Sequence, residues 1–303
     1  MKFRNLNKDP YKSIQLNKGR YISTGMPIID NALNDLAPSL VTVLSGRSNE
    51  GKTTFVRQLI ANAIDNGVKC LVINGEGHEE LWINDLYKCV VGKDKTKYDL
   101  KKVNKRYYKE PNAETLAMLQ DWHKDKLTTY HATEMCNTDE LFREVEKEVT
   151  QNKHELIVID NLMSLLNASS AEKYTKQGEF VQHCHNLAVK ANIHIVLVVH
   201  PNKEYRKDIK KPIFEMISGN SDIYNKADNI IWVARDWDNE NAGKVYVIKS
   251  RYFSEVPEVD TYYDAETGML CQNDNGKVQA YKFNINIDKY ITLDDSIKTP
   301  FDL

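Results

Sequence analysis

Between Gly46 and Thr54 the chain reads Gly-Arg-Ser-Asn-Glu-Gly-Lys-Thr-Thr, which matches the spacing G-x-x-x-x-G-K-[ST]. Glycines at those two positions let backbone N–H groups turn inward around a phosphate. The lysine reaches β- and γ-oxygens, and the hydroxyl after it can ligate Mg²⁺. Gly46, Arg47, Ser48, Asn49, Glu50, Gly51, Lys52, Thr53 and Thr54 are therefore expected to form a triphosphate site, with ATP as the nucleotide. Asp160 closes the apolar run Leu156-Ile-Val-Ile159, the place of an acid that holds Mg²⁺ together with Thr53. Hydrolysis also needs a group that orients the attacking water. Glu76, just past the run Cys70-Leu-Val-Ile73, is the candidate, and Glu79 and Glu80 compete with it. His200 follows the run from Ile193 to Val199, where it reads either as a γ-phosphate sensor or as a plain strand-end histidine.

Cations form a second set. Asn202, Lys203, Arg206, Lys207, Lys210 and Lys211 surround Tyr205 in a polar loop, a composition that suits single-stranded DNA, although a solvated loop reads the same way. Lys249 and Arg251 stand two residues apart at the end of a strand-like run, so both point to one side. They could pair with local carboxylates or reach a neighbouring subunit's nucleotide. His183-Cys-His185 invites a metal reading that fails, because adjacent helical positions point apart and no partner ligands lie nearby.

These residues need a scaffold that delivers them to one edge. Short apolar runs alternate with helix-compatible stretches, the pattern of an α/β fold with a mostly parallel central sheet flanked by helices. Strands are expected at Leu40–Leu44, Cys70–Ile73, Leu156–Ile159, Ile193–Val199, Asn229–Ala234 and Lys244–Lys249. A C-terminal β-hairpin should run from Val259 to Leu270 and turn near Glu266-Thr-Gly268. A helix should follow the glycine-rich loop from Lys52 to Asn66, and the charged stretch from Gly92 to Lys126 reads as mostly helical.

The 303 residues carry a net charge of −2, so a nucleic-acid contact must come from a local basic patch rather than an overall field. The five cysteines are dispersed without a CxxC pair, as expected of reduced intracellular thiols. No membrane-spanning run or signal peptide is apparent, so a cytoplasmic protein is expected. The expected organisation is a basic arm over 1–22, an ATPase domain over 23–290 and an acidic tail over 291–303.

Taken together, the motifs resemble the ATPase domain of the DnaB and Twinkle ring helicases, including the phage primase-helicases. The resemblance rests on Thr24-Gly-Met-Pro-Ile-Ile-Asp30, Ile157-Val-Ile-Asp-Asn-Leu162, Val199-His-Pro-Asn-Lys-Glu204 and the stretch Gly219 to Asn229. It implies a RecA-like P-loop core, a homo-oligomeric ring (a hexamer in that family) and 5′ to 3′ movement on single-stranded DNA. It further implies that Lys249 and Arg251 act in trans on the next subunit's nucleotide, that His200 is the sensor, and that Arg235 and Tyr263 sandwich the adenine. The loop from Asn202 to Gly219 matches the family's DNA-binding loop, and a primase, polymerase or loader is an expected partner. The rival readings are a RecA- or RadA-like recombination filament and an ATP-gated loading module that does not unwind.

Overall fold

The computed structural model describes residues 21–75, 78–103, 105–131, 138–161, 173–201, 212, 216, 220–239, 241–254, 256–274, 276–283, 285 and 290–292. Five strands, β1 (Val41–Ser45), β2 (Cys70–Asn74), β5 (Leu127–His131), β6 (Leu156–Asp160) and β7 (His194–Val199), pair in parallel with one another and with β8 (Asn229–Arg235) in the order β5-β2-β6-β7-β1-β8. Four of these (β1, β2, β6 and β7) are buried at every position, as strands covered on both faces must be. Their side chains alternate between two apolar clusters. Val41, Val43, Ile157 and Ile159 face one side with helices α5 (Thr138–Asn152), α6 (Lys173–Ala191) and α7 (Asn220–Lys226). Leu44, Val72 and Val158 face the other with α1 (Pro27–Leu33), α2 (Lys52–Asp65), α3 (Glu79–Val91) and α4 (Ala113–His123).

Beyond β8 the sheet turns antiparallel through β9 (Ala242–Lys249), β10 (Glu258–Asp264), β11 (Met269–Asp274), β12 (Lys277–Tyr281) and β13 (Tyr290–Thr292). The hairpin expected near Glu266–Gly268 is β10–β11, but it continues the main sheet rather than standing apart. The segment expected to be mostly helical differs as well. A short 3₁₀ turn at Lys95–Lys97 leads into an antiparallel hairpin, β3 (Tyr98–Val103) and β4 (Arg106–Pro111), and only then does α4 begin. The many Lys residues suit a helix, yet the β-favouring Val103, Tyr107 and Tyr108 and the turn at Lys105 favour a two-stranded ribbon. Strand β5 escaped sequence reasoning, since Leu127-Thr-Thr-Tyr-His131 has only one aliphatic residue and lies on the sheet edge.

The lead-in Ser23–Asp30 is a closed polar knot. The Asp30 carboxylate accepts the Ser23 hydroxyl at 2.6 Å and the Thr24 amide and hydroxyl at 2.7 and 2.6 Å. Asn62 of α2 donates to the Ser23 carbonyl at 2.7 Å, which fastens this segment to the helix that carries the P-loop lysine.

Candidate nucleotide and trans-acting sites

The P-loop joins β1 to α2, so its N–H groups and the helix N-terminus converge at the carboxyl edge of the sheet. Two glycines are obligatory here. Gly51, the residue before α2, has φ 99°, and a Cβ on Gly46 would overlap the Val233 carbonyl oxygen. Lys52 is buried, and its ammonium donates to the carbonyls of Gly46 and Arg47 at 2.7 and 2.8 Å. Thr53 donates its hydroxyl to the Asp160 carboxylate at 3.2 Å. A hydroxyl and a buried carboxylate at this separation are hard oxygen donors that fit Mg²⁺, which keeps several waters of its own.

A cavity of about 470 Å³ opens from the P-loop, lined by Asn49 to Thr54 on one side and by Arg235, Gly243, Tyr263 and Leu270 on the other. The sequence-expected base-holding pair, Arg235 and Tyr263, is thus brought to the same hollow as the phosphate loop although 28 residues separate the two in the chain. Strand pairing does this: Arg235 ends β8 opposite Gly243, and the Tyr263 amide donates to the Asn241 carbonyl at 2.7 Å.

Glu50 is the unexpected member of the loop. Its buried carboxylate accepts the Arg47 amide at 2.6 Å and the Trp237 indole N–H, and burial still pushes its pKa up. Trp237 in turn lies beneath the Arg235 guanidinium, 5.3 Å from ring centroid to cation. Sequence reasoning missed Trp237, whose only signal was an aromatic two residues past Arg235.

At the neighbouring strand ends, the side-chain amide of buried Asn161 lies 2.9 Å from His200 Nε2, within hydrogen-bond reach. The Gly75 amide donates to the Asp160 carbonyl at 2.7 Å, so the chain leaves β2 beside Asp160. Glu76 lies outside the described residues, as does the whole stretch Asn202 to Lys211. Of the competitors for the water-orienting role, Glu79 accepts the Thr129 hydroxyl and so faces β5, while Glu80 is exposed.

Lys249 and Arg251 do not join this site. Strand β9 ends at Lys249, which pairs with Ile230, itself paired with Val43 in the middle of β1. Arg251, in the bend beyond, donates its amide to the Asn229 side chain at 3.0 Å, and Asn229 pairs with Thr42. Four residues of strand separate Thr42 from Gly46, about 13 Å at the usual rise, and the P-loop extends further still. The pair therefore sits at the edge opposite its own P-loop. Lys249 donates to the Tyr224 and Ala227 carbonyls at the end of α7, both at 2.7 Å, and burial lowers its pKa. Arg251 has 62% of its side chain exposed and lies 3.7 Å from the carboxylate of buried Asp228. Asp228 and Asn229 were legible only as part of the stretch Gly219 to Asn229, with no role attached.

Among the described residues no group of three or more His, Cys, Asp or Glu could hold a metal ion. His183 stacks on Phe142, and His185 lies 3.7 Å from Asp228. Cys70, Cys89, Cys184 and Cys271 are buried free thiols, and burial raises the pKa of each. No helix among the described residues is long and apolar enough to cross a membrane.

Three comparisons bear on this arrangement. The model of the DnaB-like helicase C-terminal domain matches residues 21–272. No curated protein matches the chain. Among solved structures, one titled as an ATPase domain superposes with a TM-score of 0.71 at 16% identity, covering 87% of this chain and 96% of the other. A structure titled as a DnaB-like replicative helicase and its interactions with primase gives 0.70 at 16% identity, covering 88% and 68%. The RadB recombinase gives 0.57 at 17% identity, covering 82% and 97%. At such identities the structural matches establish a RecA-like fold, and the family model, spanning most of the sequence, establishes the lineage. This chain belongs to the DnaB-like helicase C-terminal domain family.

Proposed function

We propose that the chain hydrolyses ATP at interfaces between its own copies and uses the energy to move along single-stranded DNA as a ring, hexameric and 5′ to 3′ by family resemblance. The observation that carries this reading is the separation of Arg251 from its own P-loop by the height of the sheet. An exposed arginine on the far edge cannot serve its own nucleotide, but it can serve that of a copy stacked edge to edge.

In this reading the P-loop amides and Lys52 hold the phosphates, with the Lys52 ammonium exchanging its two loop carbonyls for phosphate oxygens. Thr53 and Asp160 would hold Mg²⁺, which would supply neutralisation of phosphate charge. Arg235 and Tyr263 hold the base across the cavity. Glu76 orients water, and His200, held by its contact with Asn161, senses the γ-phosphate. Arg251 and Lys249 arrive from the neighbouring copy and stabilise charge on the transferring phosphoryl group. The loop 202–211 grips DNA. The basic arm over 1–22, the motor over 23–290 and the acidic tail over 291–303 complete the organisation, with a primase, polymerase or loader as candidate partner and the bacterial or phage-infected cytoplasm as its place.

The test is DNA-stimulated ATPase and forked-duplex unwinding by wild type, Lys52→Ala and Arg251→Ala. Each variant should lose about 10²- to 10³-fold in kcat, as removal of one charge-stabilising donor does, and unwinding should disappear with it. The fold shared with a recombinase keeps a filament as the second reading. Strand exchange without unwinding would support it and end the first.

A further inference from the structure

The β3–β4 hairpin stands outside the main sheet and has no part in the site described above. Its base is firmly anchored. The Tyr98 hydroxyl donates to the Gly92 carbonyl at 3.0 Å, the Asn112 amide donates to the Lys97 carbonyl at 2.9 Å, and Lys109 pairs with Glu266 at 3.1 Å. Its exposed surface is dressed differently. On one face Leu100 and Tyr107, beside Lys102, are 68% and 66% exposed, and Tyr108, opposite Lys101, is 45% exposed on the other. Around them lie Lys101, Lys102 and Lys105, in a segment (98–111) with five basic residues and two acidic ones inside a chain of net charge −2. Lys101 is neutralised by Glu110 at 2.5 Å, whereas Lys102 lies over the Tyr107 ring at 5.5 Å and Lys105 is exposed in the turn.

We infer that this hairpin is a second docking site for single-stranded nucleic acid, lying outside the P-loop cavity and separate from the 202–211 loop. The face that carries Leu100, Lys102 and Tyr107, with Lys105 in the adjoining turn, suits a strand whose base stacks on the ring while its phosphates meet cations. A protein partner of ordinary composition would find the lysines costly to bury. Position supports the assignment. Glu266, which holds the hairpin base, lies in the turn after β10, at the same carboxyl edge from which the chain leaves β7 toward 202–211. Strand β10 is four strands from β7 in the sheet, about 20 Å at the usual spacing, so the hairpin base and the carboxyl end of β7 lie on one edge of the sheet. Because Lys93 pairs with Asp264 at 2.8 Å beside Tyr263, the hairpin is also braced against the strand that lines the base end of the nucleotide cavity.

The inference rests on the helicase reading, and the experiment separates the two. Fluorescence anisotropy of labelled oligo(dT) is measured with full-length protein and a non-hydrolysable ATP analogue, across a salt series. The proteins compared are wild type, Tyr107→Ala with Tyr108→Ala, and Lys102→Ala with Lys105→Ala. The tyrosine pair should weaken binding about tenfold, within the range for loss of base stacking. The lysine pair should lower the slope of log affinity against log salt by about 1.4, the figure for two lost phosphate contacts on a single strand. Both variants should keep the wild-type melting temperature, since the side chains are exposed, and ultraviolet cross-linking should mark the hairpin peptide in wild type. Affinity and slope equal to wild type in both variants would overturn the inference while leaving the helicase reading intact. So would variants that bind DNA normally but lose a replication protein that wild type captures. Wild type that binds no single strand would overturn both.

Discussion

Trp237 links the two ends of the nucleotide cavity. Its indole N–H satisfies the buried carboxylate of Glu50 in the P-loop, and its ring supports the Arg235 guanidinium that faces the base end. A carboxylate beside a triphosphate is electrostatically unfavourable unless its charge is engaged, and here an amide and an indole engage it. Replacing Trp237 with Phe keeps an aromatic support and removes only the N–H donor. The expected result is a KM for ATP raised about fivefold, in line with loss of about 1 kcal/mol of hydrogen bonding, with kcat close to wild type. Steady-state phosphate release checks this. A nucleotide-dependent change in tryptophan emission, present in wild type and absent in Trp237→Phe, would place the residue at the binding step. Glu50, at the last variable position of the loop, was legible in the sequence as a P-loop member. Its tryptophan partner was not, because nothing in the spacing brings residue 237 to residue 50.

At the scale of elements, the parallel sheet carries one titratable group where ionisation is least welcome. His194 of β7 is fully buried, bridging the Ala37 carbonyl at 2.6 Å and the Thr42 hydroxyl at 2.9 Å, and burial pushes its pKa down to about 4. A histidine with a depressed folded-state value folds best when neutral. Its contribution is complete above the unfolded value near 6.5 and is lost as pH falls toward 4, about 3 kcal/mol in all. Asp30 opposes it, since burial pushes that carboxyl up to about 6 and its ionisation penalty fades over nearly the same descent. Wild type should therefore show a muted acid response between pH 6.5 and 4. In His194→Gln the Asp30 contribution stands alone. Urea denaturation at several pH values should show the variant losing less stability than wild type on acidification, whatever its constant offset. Equal pH slopes would remove His194 from the account. The strands themselves were readable, because β1, β2, β6 and β7 are apolar throughout. The β3–β4 ribbon was not, because charge density suits an exposed helix as well as an exposed hairpin, and only tertiary anchoring at Gly92, Lys97 and Glu266 selects the latter.

For the whole molecule, the proposed trans role of Arg251, which lies at the sheet edge opposite Lys52, implies that each copy carries half of two sites. Mixing Lys52→Ala with Arg251→Ala subunits in equal amounts should restore activity that neither variant has alone. Random assembly leaves about a quarter of head-to-tail interfaces with an intact lysine and an intact arginine, so ATPase should recover toward that fraction. No recovery, in an assembly shown by light scattering to be mixed, would mean that the arginine does not act in trans. The sequence by itself determined the P-loop chemistry, the strand-ending Asp160 and the α/β alternation, because each is written in residues close together along the chain. Its resemblance to a helicase family also named Arg235, Tyr263, Lys249 and Arg251 before any contact was visible. Only the tertiary structure decided which edge each pair occupies. Strand order and direction are set by pairing between segments up to two hundred residues apart, and these bring Arg235 and Tyr263 to the P-loop while carrying Lys249 and Arg251 away from it.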